Sequence, residues 1–259
     1  VEAGEFVAVL GPNGAGKSSL LRILLGLASP SSGNVEVLGA PPRRGHPRVG
    51  YIPQQRTLRE GLPIRGIDLV RLGLDGHKWG PAWPNRRKRQ LVERAISAVG
   101  AQRYAGRAIG SLSGGEQQRL RIAQAIVASP ALLLADEPLL SLDLRRQQEV
   151  VTLLDDLRQE MGTSVVFVTH EINPVLRIAD RVLYLAGGRW AQGTPDEVLT
   201  TQTLSALYGW PVDVLHVRGR VIVVGGGDAG GDLGAGHGHC HDIGSDIGSN
   251  FGSDSGPWS

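Results

Sequence analysis

One stretch, Gly11-Pro12-Asn13-Gly14-Ala15-Gly16-Lys17-Ser18, constrains this chain more than any other. It fits G-x-x-x-x-G-K-[ST] at every fixed position. Residues 5–10, apolar from Phe6 to Leu10, precede it and read as a buried strand. Lys17 to about Leu27 follows as a helix, with Leu20, Leu24 and Leu27 on one face. A glycine-rich turn between strand and helix makes an anion trap. Its glycines let backbone N–H groups point inward, and the helix brings its positive end to the same place. Lys17 would reach the β- and γ-phosphates of a nucleotide. The Ser18 hydroxyl would ligate Mg2+, and Ser19 adjoins it. A chance turn would not supply Lys and Ser at those two positions.

Strand and helix signals then alternate, the pattern of a parallel sheet covered by helices. Ala131–Ala135 and Ser164–Val168 are short apolar runs of the kind buried on both faces of a sheet. Gln147–Glu160, between them, carries Val150, Leu153, Leu154 and Leu157 at helical spacing. Asp136 and Glu137 follow the first run, where a carboxylate faces the ligand crevice of an α/β sheet. Asp136 would hold Mg2+ through water. Glu137 would be the general base for the attacking water, a role worth ~10²–10⁴-fold in rate. From about 56 to 128 the character changes to helices and loops, and its basic run Arg86–Arg89 reads as a solvated helix start. The net charge of +2 argues against a nucleic-acid partner, and the single cysteine, Cys240, excludes an internal disulfide framework. No run of about eighteen apolar residues occurs, and no signal peptide is expected, so the cytoplasm is the expected location.

Leu112-Ser113-Gly114-Gly115-Glu116-Gln117 narrows the field. Ser113 and Glu116 have capping-box spacing, a helix with Leu120, Ala123, Ile126 and Val127 follows, and two glycines stand at its mouth as a second anion site. This stretch resembles the signature motif of ATP-binding-cassette (ABC) ATPases. With it the order of motifs across residues 5–185 is similar to that family. The resemblance implies an α/β fold, a P-loop NTPase sheet covered by helices, with an inserted helical subdomain (about 56–128) that carries the signature. It implies a cassette over 1–224, with a small C-terminal appendage over about 190–224. It also implies a dimer in which Ser113, Gly114, Gly115, Glu116 and Gln117 meet the ATP held by the second copy's loop. Gln54, in Tyr51-Ile52-Pro53-Gln54, matches the Q-loop glutamine, a Mg2+ and water contact, with Gln55 as the alternative. Ser141-Leu142-Asp143 resembles the interface D-loop, and His170 the switch histidine at the γ-phosphate.

The family stacks adenine on an aromatic residue upstream of the phosphate loop. Here only Phe6 stands upstream, inside the strand, so an N-terminal part of the domain is expected to be truncated. Such stacking is worth roughly 1–3 kcal/mol in nucleic-acid cases.

The resemblance also implies partners: integral-membrane permease subunits, and indirectly an extracytoplasmic metal-binding protein, with the ATPase on the cytoplasmic face of the membrane. Residues 56–90 would supply the permease surface. Glu137–Asp143 and Thr169-His170-Glu171-Ile172-Asn173-Pro174 look most like ATPases of zinc and manganese importers. Iron–siderophore importers are the alternative cargo class. A soluble regulatory ABC protein and a nucleotide-binding module without turnover are alternatives of other classes.

Further on, Thr194-Pro195-Asp196-Glu197 predicts a capped helix start, and His216–Val224 a hairpin turning at Arg218-Gly219. Residues 225–259, rich in Gly, Asp, Ser and His, have too few apolar side chains to offset ordering entropy and read as a disordered tail. Within it, His237, His239, Cys240 and His241 offer ligand types that Zn2+ prefers. Clusters of this kind on some zinc-importer ATPases resemble metal sensors. The bland reading is a flexible end with incidental histidines.

Overall fold

The computed structural model describes residues 1–54, 63–76, 85–140 and 142–225. At its centre is a six-stranded sheet of β1 (Phe6–Leu10), β2 (Val49–Ile52), β3 (Leu132–Asp136), β4 (Ser164–Val168), β5 (Arg181–Ala186) and β6 (Arg189–Gly193). The spatial order is β2-β3-β4-β1-β5-β6. The first five strands run parallel, and β6 returns antiparallel beside β5. The register pairs Val9 with Val168 and Asp136 with Val168. β1, β3 and β4 therefore end side by side, and the loops that follow them leave the sheet at one edge.

Alternation along the strands divides the apolar side chains between two faces. Phe6, Ala8, Leu10, Leu133, Ala135, Val165 and Phe167 enter the larger core. The Phe6 and Phe167 rings stack there, with centroids 5.6 Å apart. Each buried phenylalanine contributes about 1.5–3 kcal/mol. Helix α5 (Leu144–Met161) supplies Val150, Leu154 and Leu157 to the same core. Val9, Leu132, Leu134, Val166 and Val168 face the other way and meet Leu21 of α1 (Lys17–Leu24).

Helix α1 is shorter than its leucine spacing predicts. Gly26 takes φ +66°, which an L side chain rarely adopts. The amide of Gly26 donates to Ile23 O and that of Leu27 to Arg22 O, a Schellman stop. Leu27 thus falls outside the helix and is exposed. Helix α5 begins three residues earlier than expected because Asp143 caps it, accepting the Arg146 amide at 2.9 Å.

The section between β2 and β3 contains α2 (Gly66–Asp75), α3 (Arg86–Ala98) and α4 (Gly114–Ile126), which pack on one another. Asn85 caps α3, and Arg86, Arg87 and Arg89 are exposed on its first turn, as a solvated helix start requires. Ser113 and Glu116 form the capping box of α4.

After β6, Thr194 and Glu197 form a capping box on α6 (Pro195–Val198), and α7 (Thr201–Tyr208) follows. The closing hairpin, β7 (Val212–Val217) and β8 (Arg220–Gly225), turns at Arg218-Gly219. Its first strand starts four residues before the expected boundary, and its second runs through Gly225. The remaining tail, with His237, His239, Cys240 and His241, lies outside the described residues.

Candidate functional site

β1 passes into the phosphate loop through Gly11, at φ +142°. A Cβ there would sit 2.0 Å from the Leu185 carbonyl oxygen of β5, so no other residue fits. The loop ends at Gly16, the N-cap of α1. Gly16 offers no side-chain cap, and the first turn of α1 carries no acidic residue. The helices α4 and α6 fill their own amide ends with capping boxes, whereas α1 leaves its end open to an anion. Lys17 is buried and folds back on the loop, donating to Gly11 O at 2.6 Å and Pro12 O at 2.9 Å. Burial lowers its pKa, and the charges of Glu137 and Asp136 oppose that shift.

Glu137 stands just past β3 with φ +43°, a left-handed conformation costing of order 1–3 kcal/mol in a non-glycine residue. Its amide donates to Val168 O at 2.9 Å, which holds the backbone to β4. One carboxylate oxygen accepts from Gln54 Nε2 at 3.1 Å, and the other lies 3.5 Å from His170 Nδ1. His170 is placed by a turn in which Thr169 Oγ1 accepts the Glu171 amide at 3.1 Å. Three separate loops thus bring a carboxylate, an amide and an imidazole together.

These groups line one cavity of about 630 Å3 with Asn13, Gly14, Gly16, Lys17, Ser18 and Ser19. Gly11, Pro12 and Ala15 shape the loop without lining the cavity, and Leu140 adds an apolar contact. Asp136 sits beside it, half-buried, and accepts a hydrogen bond from the Tyr51 hydroxyl at 3.4 Å. Its carboxyl is pushed above the ordinary range by burial first and by Glu137 second, against the opposing Tyr51 hydrogen bond and Lys17 charge. Ser18, Gln54 and Asp136 present only oxygen donors to a cation, the set a hard divalent ion such as Mg2+ takes. Phe6 is fully buried against Phe167 and offers no platform to a base.

The signature residues lie elsewhere. Ser113, Gly114 and Gly115 do not line the cavity of their own chain. Both the Ser113 amide and hydroxyl donate to Glu116, at 2.8 and 2.9 Å. Gln117 points inward, buried, and donates to Ile109 O and Leu112 O, each at 3.1 Å. Its amide shapes the turn before α4 rather than facing outward. Asp143 is the α5 cap described above. Ser141, and the alternative Gln55, lie outside the described residues.

Two residues escaped sequence reasoning. Gln118 is fully buried and donates to Pro138 O at 3.1 Å, tying α4 to the turn beyond Glu137. Tyr51 supports Asp136. Neither contact has a local signal, because each joins residues distant in sequence.

A family model described as ABC transporter matches residues 1–140. The zinc transport system ATP-binding protein TroB of Treponema pallidum is 35% identical over 209 residues, covering 81% of this chain and 78% of its own. The hemin import ATP-binding protein HmuV of Nocardia farcinica is 39% identical over 221 residues, covering 83% and 75%. A solved inward-facing conformation of a metal-chelate type ABC transporter superposes with a TM-score of 0.72 at 33% identity, over 86% of each chain. Phosphate loop, convergent carboxylate and imidazole, detached signature helix and these likenesses agree: the chain belongs to the ABC transporter family, as an ATP-hydrolysing cassette.

Proposed function

We propose that this cassette powers uptake of a divalent metal, zinc or manganese, through a separate membrane permease, from the cytoplasmic face of the membrane. The observation that carries the enzymatic half is the meeting of Gln54, Glu137 and His170 at the cavity beside Lys17. ATP binds with its phosphates in the loop, where Lys17 exchanges its two carbonyl partners for phosphate oxygens. Glu137, held from both sides, takes a proton from the water attacking the γ-phosphate. His170 orients that carboxylate and contacts the phosphate. Mg2+, held by Ser18, Gln54 and Asp136, would neutralise developing charge on the phosphates. The separation of Ser113–Gly115 from this cavity supports completion of the site by a second copy, as cassettes of this family pair.

A groove of about 490 Å3 beside β2, α2 and α4 supports the transport half. Tyr51, Pro53, Gly73, Leu74, Gln124 and Ala125 line it. It adjoins Gln54, so a permease helix seated there would feel the nucleotide site. No described helix is long and apolar enough to cross a membrane.

The zinc–manganese reading draws on the residues around Glu137 and His170 and on the likeness to TroB. Import of a metal chelate such as hemin or a ferric siderophore is the second reading, favoured by the likeness to HmuV and to the metal-chelate transporter. The capture protein outside the membrane would differ between the two. The His237–His241 cluster is proposed as a loose Zn2+ site under the first reading.

Tracer uptake of zinc, manganese and ferric siderophore or hemin, in cells lacking and regaining the gene, separates these readings. Selective loss of zinc or manganese uptake is expected. Loss confined to the chelates moves the cargo to the second reading, and unchanged uptake of all discards both. In vitro, Glu137→Gln lowers kcat by about 10²–10⁴-fold while ATP binding persists. Turnover at the parental rate removes Glu137 as the base.

A further inference from the structure

A second cleft, of about 440 Å3, lies between the β7–β8 turn, the segment after His170 and the start of α5. It shares no lining residue with the nucleotide cavity. Arg177, Arg218 and Arg220 line it. Among the described residues, none of the three forms an ion pair or a side-chain hydrogen bond. Some other arginines are matched, Arg89 with Glu93, Arg119 with Glu149, and Arg158 with Asp155 and Asp180, while others, such as Arg94 and Arg103, also stand without an ion pair but line no such cleft. Among the described residues, the one carboxylate lining the cleft is that of Glu171, which lies 3.8 Å from His170 Nε2.

The three arginines are solvent-exposed, and set against Glu171 they give the cleft a net positive lining. Their forked donors match phosphate and carboxylate oxygens in pairs. Leu144, Pro174 and Ile178 add an apolar wall that would receive a carbon skeleton. The volume is that of an ordinary small-ligand pocket. Arg218 takes φ +51° as the first central residue of the hairpin turn, which holds its side chain at the β7–β8 end of the cleft.

We propose that this cleft binds a small organic anion of two or more charges, such as an organic phosphate. The site is joined to the catalytic loop. Asn173, three residues after His170, donates to Val221 O at 3.0 Å and accepts the Val221 amide at 2.8 Å. An anion gripped by Arg177 and the hairpin arginines would therefore restrain the loop that carries His170.

The test is titration calorimetry of the full chain with 3-phosphoglycerate, with the phosphate loop kept filled by Mg-ADP. One site per chain is expected. Arg177→Gln combined with Arg220→Gln weakens it by about ten-fold or more, and Arg103→Gln, outside the cleft, leaves it unchanged. Sedimentation with phosphatidylglycerol vesicles forms the second arm. Vesicle binding lost in the double variant, without binding of 3-phosphoglycerate, assigns the same site to a lipid headgroup. If neither probe binds, or parent and double variant bind alike, the proposal is overturned.

Discussion

At the scale of single residues, the site is held in a conformation that costs the resting protein free energy. Glu137 keeps a left-handed backbone, Lys17 is buried, and Asp136 is a half-buried carboxyl beside another carboxylate. A raised carboxyl pKa means that the associated stability is fully present below the ordinary value of 3.8. It is lost as pH rises through the raised value, so the ionised Asp136 is a net cost at neutral pH. Asp136→Asn should therefore raise the Tm of the nucleotide-free chain at neutral pH. The gap from the parent should shrink on acidification toward the ordinary value, and ATP turnover should fall. Calorimetry across that range checks the sign. A variant less stable than the parent at neutral pH would show that the carboxylate's hydrogen bond outweighs its burial. These pressures explain why so much of the site was legible. On the proposed function, phosphate binding would fix Gly11, Lys17 and Ser18 by type and spacing, and catalysis would fix Glu137 at a strand end. The sequence pattern does not carry Tyr51 or Gln118, because their partners, Asp136 and Pro138, are set by packing across the fold.

At the scale of elements, close approach of helices decides matters that helical propensity would decide the other way. Gly73 lies within α2, where alanine is ordinarily better by about 1 kcal/mol. A Cβ there would stand 2.2 Å from Gln124 O and 2.7 Å from Val127 Cγ1 of the helix α4 region. Gly73→Ala should thus destabilise the chain, by about 1–3 kcal/mol in urea unfolding, through overpacking. A stabilised variant would mean that α2 can slide on α4. The hairpin is held differently, by the two Asn173 bonds to Val221. Each is worth about 0.5–1.5 kcal/mol. Asn173→Leu should speed hydrogen exchange of the β8 amides by about ten-fold or more, while α5 keeps its protection. Equal protection in both proteins would show that the packing of Val212 and Val221 alone secures the hairpin. Element ends were the least legible part. The leucines of α1 continue past Gly26, and only the glycine's left-handed backbone stops the helix. The early start of α5 follows from Asp143, a residue read for its place at an interface while its carboxylate was also a cap.

At the scale of the whole molecule, the proposed function divides the nucleotide site into two halves that do not meet within one chain. The phosphate loop and Glu137 lie at the edge of the sheet, while Ser113 and Gly115 stand at the mouth of α4 and are absent from the cavity lining. If two copies exchange these halves about a two-fold axis, each nucleotide is shared between chains. Lys17→Ala should then remove nucleotide binding at the altered chain's own loop. Ser113→Arg should leave binding at its own loop but block the partner's site. Each homodimer is inactive for a different reason. A one-to-one mixture should recover turnover, because in the mixed dimer one composite site has an intact loop and an intact signature. If subunits exchange freely and sites fire independently, symmetry sets the recovery at about a quarter of the parental rate. The mixed population is half of all dimers, and each mixed dimer has one working site of two. Steady-state ATPase assays on the mixture, and on its parents at equal total concentration, make the comparison. Recovery places Ser113 and Lys17 on opposite sides of one nucleotide. A mixture as inactive as its parents rules against independent sites shared in this way.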